Sequence, residues 1–307
     1  MIKTTDMNEP IAIAIHGGAG TLDKNKLSET LYKQYERALQ EALLAGWYIL
    51  QKGGHSLDAV EKAVMELEDC PFFNAGRGSV FNFSGKHEMD AAIMDGRTLK
   101  AGAVAGVIQI KNPIQVARAV MDKSKFVFLA GDGANLFAQE QGIATESDDY
   151  FYNELRYKEW QQEQENETTE KKIGTVGAVA LDANGNLAAA TSTGGITNKK
   201  YGRVGDSPVI GGGTYANNHT CAVSCTGEGE QFIRAVTAYD VSCLIEYKEL
   251  TLKDACAHTM QKLDFIQGSG GLIAVDSKGN IEMPFNTEGM YRAAKSTNGI
   301  TEVKIFT

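Results

Sequence analysis

The sequence predicts an α+β fold in which antiparallel strands joined by hairpins are covered by layers of helices. Three observations predict it. Apolar runs come in pairs around turn residues, as at 175–181 and 186–193 on either side of Asp182-Ala183-Asn184-Gly185. Helical patterns stand in adjacent pairs, which disfavours a doubly wound parallel sheet. The composition, 43% hydrophobic and 22% charged over 307 residues, is that of a chain able to bury a full core.

The elements follow in order. A strand at 11–15 runs into His16-Gly17-Gly18-Ala19-Gly20. An amphipathic helix spans 28–51, with Leu31, Tyr35, Ala38, Leu39 and Ala42 on one face and Gly53-Gly54 beyond its end. A second helix after Ser56 carries Ala59, Val60, Ala63, Val64 and Leu67 on one face. Strands are expected around Val80-Phe81 and 91–94, then an apolar run over 101–110 and a helix from Pro113 through Met121. Residues 144–172 are mostly polar with little apolar periodicity, so they read as a mobile connector. Beyond the hairpin at 175–193 comes a strand at 220–225, then helices at 231–247 and, after a Thr251…Asp254 capping box, at 252–266. A last hairpin pairs 271–276 with 281–285.

Several function classes are excluded or disfavoured. A formal net charge of -9 disfavours nucleic-acid and anionic-membrane partners. No apolar run approaches the roughly 18 residues of a membrane span, and the run at 11–15 is too short for a signal-peptide core. Cys70, Cys221, Cys225, Cys243 and Cys256 are odd in number and lack C-x-x-C spacing, so Cys221 and Cys225 are expected as a buried thiol pair and the compartment as reducing, hence cytoplasmic. The sequons at Asn82, Asn166 and Asn218 carry no weight there. Gly211-Gly212-Gly213-Thr214-Tyr215-Ala216 matches a dinucleotide fingerprint formally, but another strand rather than a helix follows it. Phosphate-loop, zinc-helix and nucleophile-elbow motifs are missing, and the five histidines stand singly.

The informative feature is Gly174-Thr175, where the polar connector ends and a strand opens on Thr. Two readings stand for Thr175 at this point. It is an ordinary β-branched strand residue; or, if the preceding bond is cut, its hydroxyl lies beside its own α-amine, whose unperturbed pKa of about 7.7–8.0 suits a general base. Thr193, at the end of the partner strand, returns toward Thr175 through the hairpin. Thr226 and Gly227 end another strand, where a hydroxyl and a backbone N–H can stabilise an oxyanion. Arg203 and Asp206 can hold an α-carboxylate and an α-ammonium, or form a surface salt bridge in a turn.

These residues lie within blocks that carry a resemblance. They are His16-Gly17-Gly18-Ala19-Gly20, Phe73-Asn74-Ala75-Gly76-Arg77-Gly78-Ser79-Val80, Glu88-Met89-Asp90 through Gly96, and Gly174-Thr175-Val176-Gly177. Ser192-Thr193-Gly194-Gly195, Gly202-Arg203-Val204-Gly205-Asp206-Ser207-Pro208, Thr226-Gly227-Glu228-Gly229-Glu230, Gly270-Gly271 and Pro284-Phe285-Asn286-Thr287 follow in order. The set resembles the plant-type asparaginase/isoaspartyl peptidase family of N-terminal-nucleophile hydrolases over almost the whole chain. Phe126 departs from it, standing where relatives often have His.

The resemblance implies one αββα sandwich domain over 1–307, made as a precursor. Cleavage between Gly174 and Thr175 would give an α chain, 1–174, with 144–172 as its linker, and a β chain, 175–307. Two such pairs would associate as a dimer of heterodimers. It implies Thr175 as nucleophile and base, supported by Thr193, with Asn74 nearby. Thr226 and Gly227 would form the oxyanion site, and Arg203, Asp206 and Gly229 would complete the substrate site. No cofactor is implied for catalysis. A structural sodium is implied on main-chain carbonyls of Leu67, Glu68, Cys70, Phe73, Ala75 and Arg77. The expected reaction releases L-aspartate from L-asparagine and from β-aspartyl dipeptides. A glycosylasparaginase and an unprocessed binding module are the rival readings.

Overall fold

The structure is a computed structural model, and it describes residues 9–20, 28–165 and 174–307. Strands β1 (Ala12–Gly20), β2 (Met89–Asp95), β3 (Ala101–Val107), β4 (Phe128–Ala130), β5 (Val176–Leu181), β6 (Leu187–Thr193), β11 (Gly289–Ser296) and β12 (Thr301–Lys304) form one sheet, ordered β12-β11-β1-β5-β6-β2-β3-β4. Strands β7 (Thr214–Ala216), β8 (Cys221–Gly227), β9 (Gly270–Asp276) and β10 (Ile281–Glu282) form a second, ordered β10-β9-β8-β7. Within both sheets the named pairings are antiparallel except β3 with β4.

Helices flank both sheets. Helices α1 (Glu29–Gln51), α2 (Ser56–Asp69) and α3 (Pro113–Lys123) cover one face of the large sheet; α8 (Thr237–Lys248) and α9 (Leu252–Phe265) cover the small one. Strand alternation explains the layering. On β5, Ala178 and Ala180 pack toward the helices with Val60, Ala63 and Leu67, whereas Val179 and Leu181 face the second sheet with Ala222, Ile273 and Val275. On β8, Cys221, Val223 and Cys225 turn outward to meet Phe232, Val241 and Leu263. Strands buried on both faces read as continuous apolar runs, which is how β5 and β6 read.

Local signals place the main boundaries. Ser28 caps α1 by accepting from Leu31 N at 3.2 Å, and Thr251 caps α9 by accepting from Asp254 N at 3.2 Å. Asp182 ties the β5–β6 turn, its Oδ1 accepting from Asn184 N and Asn186 N.

Several expectations are corrected. Within the expected connector, 148–151 and 154–165 are helical: α5 (Asp148–Phe151) and α6 (Glu154–Glu165) follow α4 (Gly131–Glu140). Aromatic contacts anchor them, since Phe151 is fully buried and Trp160 packs on Phe81 with ring centroids 5.9 Å apart. Residues 166–172 of that segment lie outside the described residues. Val80-Phe81 forms no strand; Phe81 O instead accepts from Asn198 N at 2.8 Å, pairing irregularly with the 196–199 turn. The helix expected at 231–247 is two, α7 (Gly229–Ala235) and α8, broken where Val236 takes φ +53°. The hairpin at 271–285 is shorter than expected, with Phe285 in an isolated bridge to Gly271, and β11 and β12 follow it.

Candidate active site

The β5–β6 hairpin sets the site. Its ladder begins with Val176 opposite Ser192, so Thr175 lies one residue beyond it on one strand and Thr193 on the other. Thr175 Oγ1 donates to Thr193 Oγ1 at 3.2 Å, and both residues are buried. Gly195 N donates to the same Thr193 oxygen at 3.0 Å, which leaves the Thr193 proton for the Gly174 carbonyl at 3.1 Å. Asn74 Nδ2 donates to that carbonyl too, at 2.9 Å. Two donors therefore converge on the carbonyl of the Gly174–Thr175 bond, and the Thr175 hydroxyl is bonded to the oxygen of one of them, Thr193 Oγ1.

Asn74 is fixed from three sides. Its Nδ2 also donates to Gly195 O at 2.7 Å, its Oδ1 accepts from Val80 N at 3.0 Å, and its main-chain O accepts from Gly194 N at 3.1 Å. The end of β1 closes the other side. A Cβ on Gly18, where φ is +112°, would lie 3.1 Å from Gly174 Cα and 3.2 Å from Thr175 N. The next residue, Ala19, donates its N–H to Thr226 Oγ1 at 3.2 Å, so Thr226 stands beside the junction. Gly227, φ +152°, lies opposite Gly270 in the β8–β9 ladder, and a Cβ there would lie 2.6 Å from Gly270 Cα.

A charged group completes the set. Arg203 makes a two-pronged ion pair with Glu230, Nε to Oε1 and Nη2 to Oε2, both 2.8 Å. A Cβ on Gly229 would lie 2.9 Å from both Arg203 Nη2 and Asp206 Oδ1, so a side chain there would fill the space between the two. Asp206 is buried, and its Oδ2 has no hydrogen-bond partner. Burial pushes its carboxyl up to about 7, against the pull of Arg203.

The sequence-predicted residues thus fall into neighbouring groups: Gly174, Thr175, Thr193 and Asn74; Thr226 and Gly227; and Arg203, Asp206 and Gly229. Three features escape sequence reasoning. Glu230 is the counter-ion of Arg203, and its place in Thr226-Gly227-Glu228-Gly229-Glu230 was the available signal. His16, fully buried, holds Thr175 O through Nδ1 at 3.0 Å. Asp90 faces Thr193 in the β2–β6 register with Lys199 as its charged neighbour, both nearly inaccessible.

The loop after α2 is built of close main-chain approaches. A Cβ on Gly76 would strike Glu68 O, and one on Gly78 would strike Phe73 O. Leu67 and Glu68 lie in the last helical turn, where carbonyls lack intrahelical partners and the helix dipole is negative. Among the described residues no cluster of three His, Cys, Asp or Glu side chains is placed to bind a metal, and no helix is long and apolar enough to cross a membrane.

Comparison with known proteins decides the family. The model described as Asparaginase matches residues 9–305. The chain belongs to this asparaginase family. Within the family it is 52% identical over 301 residues to the isoaspartyl peptidase of Salmonella typhimurium strain LT2, covering 94% of this chain and 95% of the relative. It is 51% identical over 293 residues to the isoaspartyl peptidase of Escherichia coli K12, covering 92% and 91%. It is 45% identical over 298 residues to the plant-type L-asparaginase of Pyrococcus abyssi, covering 91% and 94%.

Proposed function

We propose that this asparaginase-family chain is a self-processing threonine hydrolase that releases L-aspartate from β-aspartyl dipeptides and L-asparagine. The observation that carries the reading is the Gly174–Thr175 junction, with its carbonyl between Asn74 Nδ2 and the Thr193 hydroxyl and the Thr175 hydroxyl alongside. The names of the relatives, isoaspartyl peptidase and plant-type L-asparaginase, support the substrate class.

Processing begins with attack of Thr175 Oγ1 on the Gly174 carbonyl carbon. Asn74 and Thr193 stabilise the oxyanion. The C–N bond breaks, the nitrogen takes the hydroxyl proton, and an ester joins Gly174 to Thr175. Water hydrolyses that ester, leaving a 1–174 α chain and a 175–307 β chain that begins with a free amine. The amine then serves as base for its own hydroxyl. In turnover Thr175 attacks the side-chain carbonyl of the substrate, and Thr226 with Gly227 stabilises the tetrahedral intermediate. The amine hands its proton to the departing ammonia or amino acid, and water frees aspartate. Arg203 takes the α-carboxylate and Asp206 the α-ammonium, with Gly229 leaving room for both. The orphan oxygen of Asp206 supports that last assignment.

The proposal includes a four-layer αββα sandwich, supported by the apolar clusters on both sides of the paired sheets. It includes a dimer of αβ pairs, supported by exposed Phe126 and Val127 leading into exposed Phe128 on the edge strand β4. The proposal places a structural sodium on main-chain carbonyls of the last turn of α2 and the loop after it; Leu67, Glu68, Cys70, Phe73, Ala75 and Arg77 would hold it, supported by the carbonyls of that turn, which lack intrahelical partners, and it would order the Asn74 segment. Side chains and the new amine carry the chemistry in this reading. A reducing compartment is supported by the five free cysteines.

Intact mass spectrometry after incubation at neutral pH tests the proposal. Two chains broken at Gly174–Thr175, followed by release of aspartate from β-aspartyl-leucine, are expected. An uncut chain that still binds aspartate favours a binding module, and preference for GlcNAc-asparagine favours a glycosylasparaginase.

A further inference from the structure

One buried polar network is not used by the mechanism above. It lies between the two sheets. His16 on β1 reaches Thr175 O with Nδ1 at 3.0 Å and Ser224 Oγ on β8 with Nε2 at 2.9 Å. Ser224 Oγ lies 2.7 Å from Thr191 Oγ1 on β6, and Thr214 Oγ1 on β7 lies 2.6 Å from Thr191 Oγ1. Thr214 Oγ1 is also 3.0 Å from the carbonyl of Ser207, the residue after Asp206. All four side chains are buried. Gly177 makes room for the crossing, because a Cβ there would fall on both Ser224 Oγ and His16 Nε2.

Hydrogen-bond direction follows from valence. A carbonyl only accepts, so His16 Nδ1 carries a proton. Burial without an acidic partner in its hydrogen-bond set keeps the ring neutral, holding its pKa down at about 3. Nε2 is therefore bare and takes the Ser224 proton. Ser224 then accepts from Thr191, so the 2.6 Å contact between Thr191 and Thr214 uses the one Thr214 proton and the Ser207 carbonyl beside it goes without. One consistent orientation runs from β7 through β6 and β8 to the carbonyl of Thr175.

We propose that His16, locked as the neutral Nδ1–H tautomer by the Ser224–Thr191–Thr214 hydroxyl chain, is the positioning residue that holds the main chain of Thr175 for catalysis. The inference rests on the reading of Thr175 as a nucleophile that becomes a chain end. Before cleavage Thr175 is held on both sides, since Asn74 and Thr193 fix Gly174. After cleavage that tether is gone. The β1–β5 ladder reaches only to His16 opposite Gly177, two residues short of the junction, so the His16 side chain holds the new terminus from its carbonyl. Fixing a freed residue's backbone again for reaction costs entropy of a size that slows a reaction about 10-fold, and that loss falls on turnover more than on processing.

The test uses the full-length chain. His16→Leu removes the donor to Thr175 O. His16→Asn retains one, because Asn Nδ2 occupies the place of imidazole Nδ1. Ser224→Ala leaves the tautomer unlocked. The expected result is a kcat about 10-fold lower in His16→Leu with KM nearly unchanged, a smaller fall in the rate of cleavage at Gly174–Thr175, and recovery of most of kcat in His16→Asn. Long-range proton–nitrogen NMR at pH 7 should find Nδ1 protonated and Nε2 bare in the wild type. A fully processed His16→Leu protein with wild-type kcat, or an Nε2–H tautomer in the wild type, overturns the proposal. If His16→Leu does not fold, His16→Asn and the NMR spectrum decide it, and a kcat in His16→Asn about 10-fold below wild type counts against it. Wild-type protein that neither cleaves itself nor turns over would instead refute the nucleophile reading on which this one stands.

Discussion

Replacing Thr193 by Val keeps the shape of the side chain and removes one hydroxyl that does three things. It accepts from Thr175 Oγ1 at 3.2 Å, accepts from Gly195 N at 3.0 Å and donates to Gly174 O at 3.1 Å. Loss of the donation leaves Asn74 Nδ2 as the remaining partner of that carbonyl among the described residues. Removing one of two oxyanion donors slows a reaction by about 100- to 1,000-fold. Stranding the Gly195 N–H costs a further ~1–3 kcal/mol of stability, so the variant should melt earlier while still folding. The assay is a time course of precursor disappearance by gel and intact mass, with circular dichroism as the folding control. Processing of folded Thr193→Val at the wild-type rate would refute the assignment of Thr193 to the Gly174 carbonyl.

Two other substitutions probe separate parts of the molecule. Arg203→Lys loses the two-pronged geometry now held by Glu230, so KM for β-aspartyl-leucine should rise by about 10- to 100-fold with processing intact, as measured by steady-state kinetics and intact mass. Trp160→Ala removes the ring that packs on Phe81 and Tyr157, so α6 should become the first site of limited proteolysis while the melting temperature of the remainder barely moves.

The β5–β6 hairpin was legible because its signals are local. Asp182-Ala183-Asn184-Gly185 fixes the turn, and a two-residue period then puts Thr193 opposite Thr175. What was not legible depends on long-range burial. Residues 154–165 lack an apolar stripe and read as connector, yet scattered Trp160 and Tyr157 dock the helix on Phe81. β11 contains Arg292 and Lys295 and gave no strand signal; Arg292 is buried all the same, bonded to Met290 O and lying over the Phe285 ring. His16 was visible as part of a glycine-rich motif, but its role required Ser224, 208 residues away, and no spacing rule connects them. Thr175, Arg203 and Asp206 were readable by chemistry and Glu230 was not, because a carboxylate beside glycines has many uses until its partner is seen.

Asp206 carries the sharpest consequence for pH. Its carboxyl is raised from 3.8 to about 7 by burial, so between those values the folded state keeps a proton that the unfolded state has released. Stability contributed by this site therefore falls as pH rises from about 4 to 7, and Asp206→Asn should be more stable than wild type above pH 7. That gain is expected alongside loss of substrate binding, which separates a functional carboxylate from a structural one. An α-ammonium arriving at Oδ2 reverses the balance, because a nearby cation favours the ionised form. Binding at pH 6 must then expel about one proton, and binding at pH 8.5 almost none. Calorimetric titration with L-aspartate, the expected product, measures this directly when repeated in buffers of different ionisation enthalpy. Equal proton release at both pH values would mean that Asp206 is already ionised, or that the ammonium goes elsewhere. Proton release that survives in Asp206→Asn would give the same role to another buried acid, and Asp90, whose Oδ2 is also without a partner, would then be the group to examine.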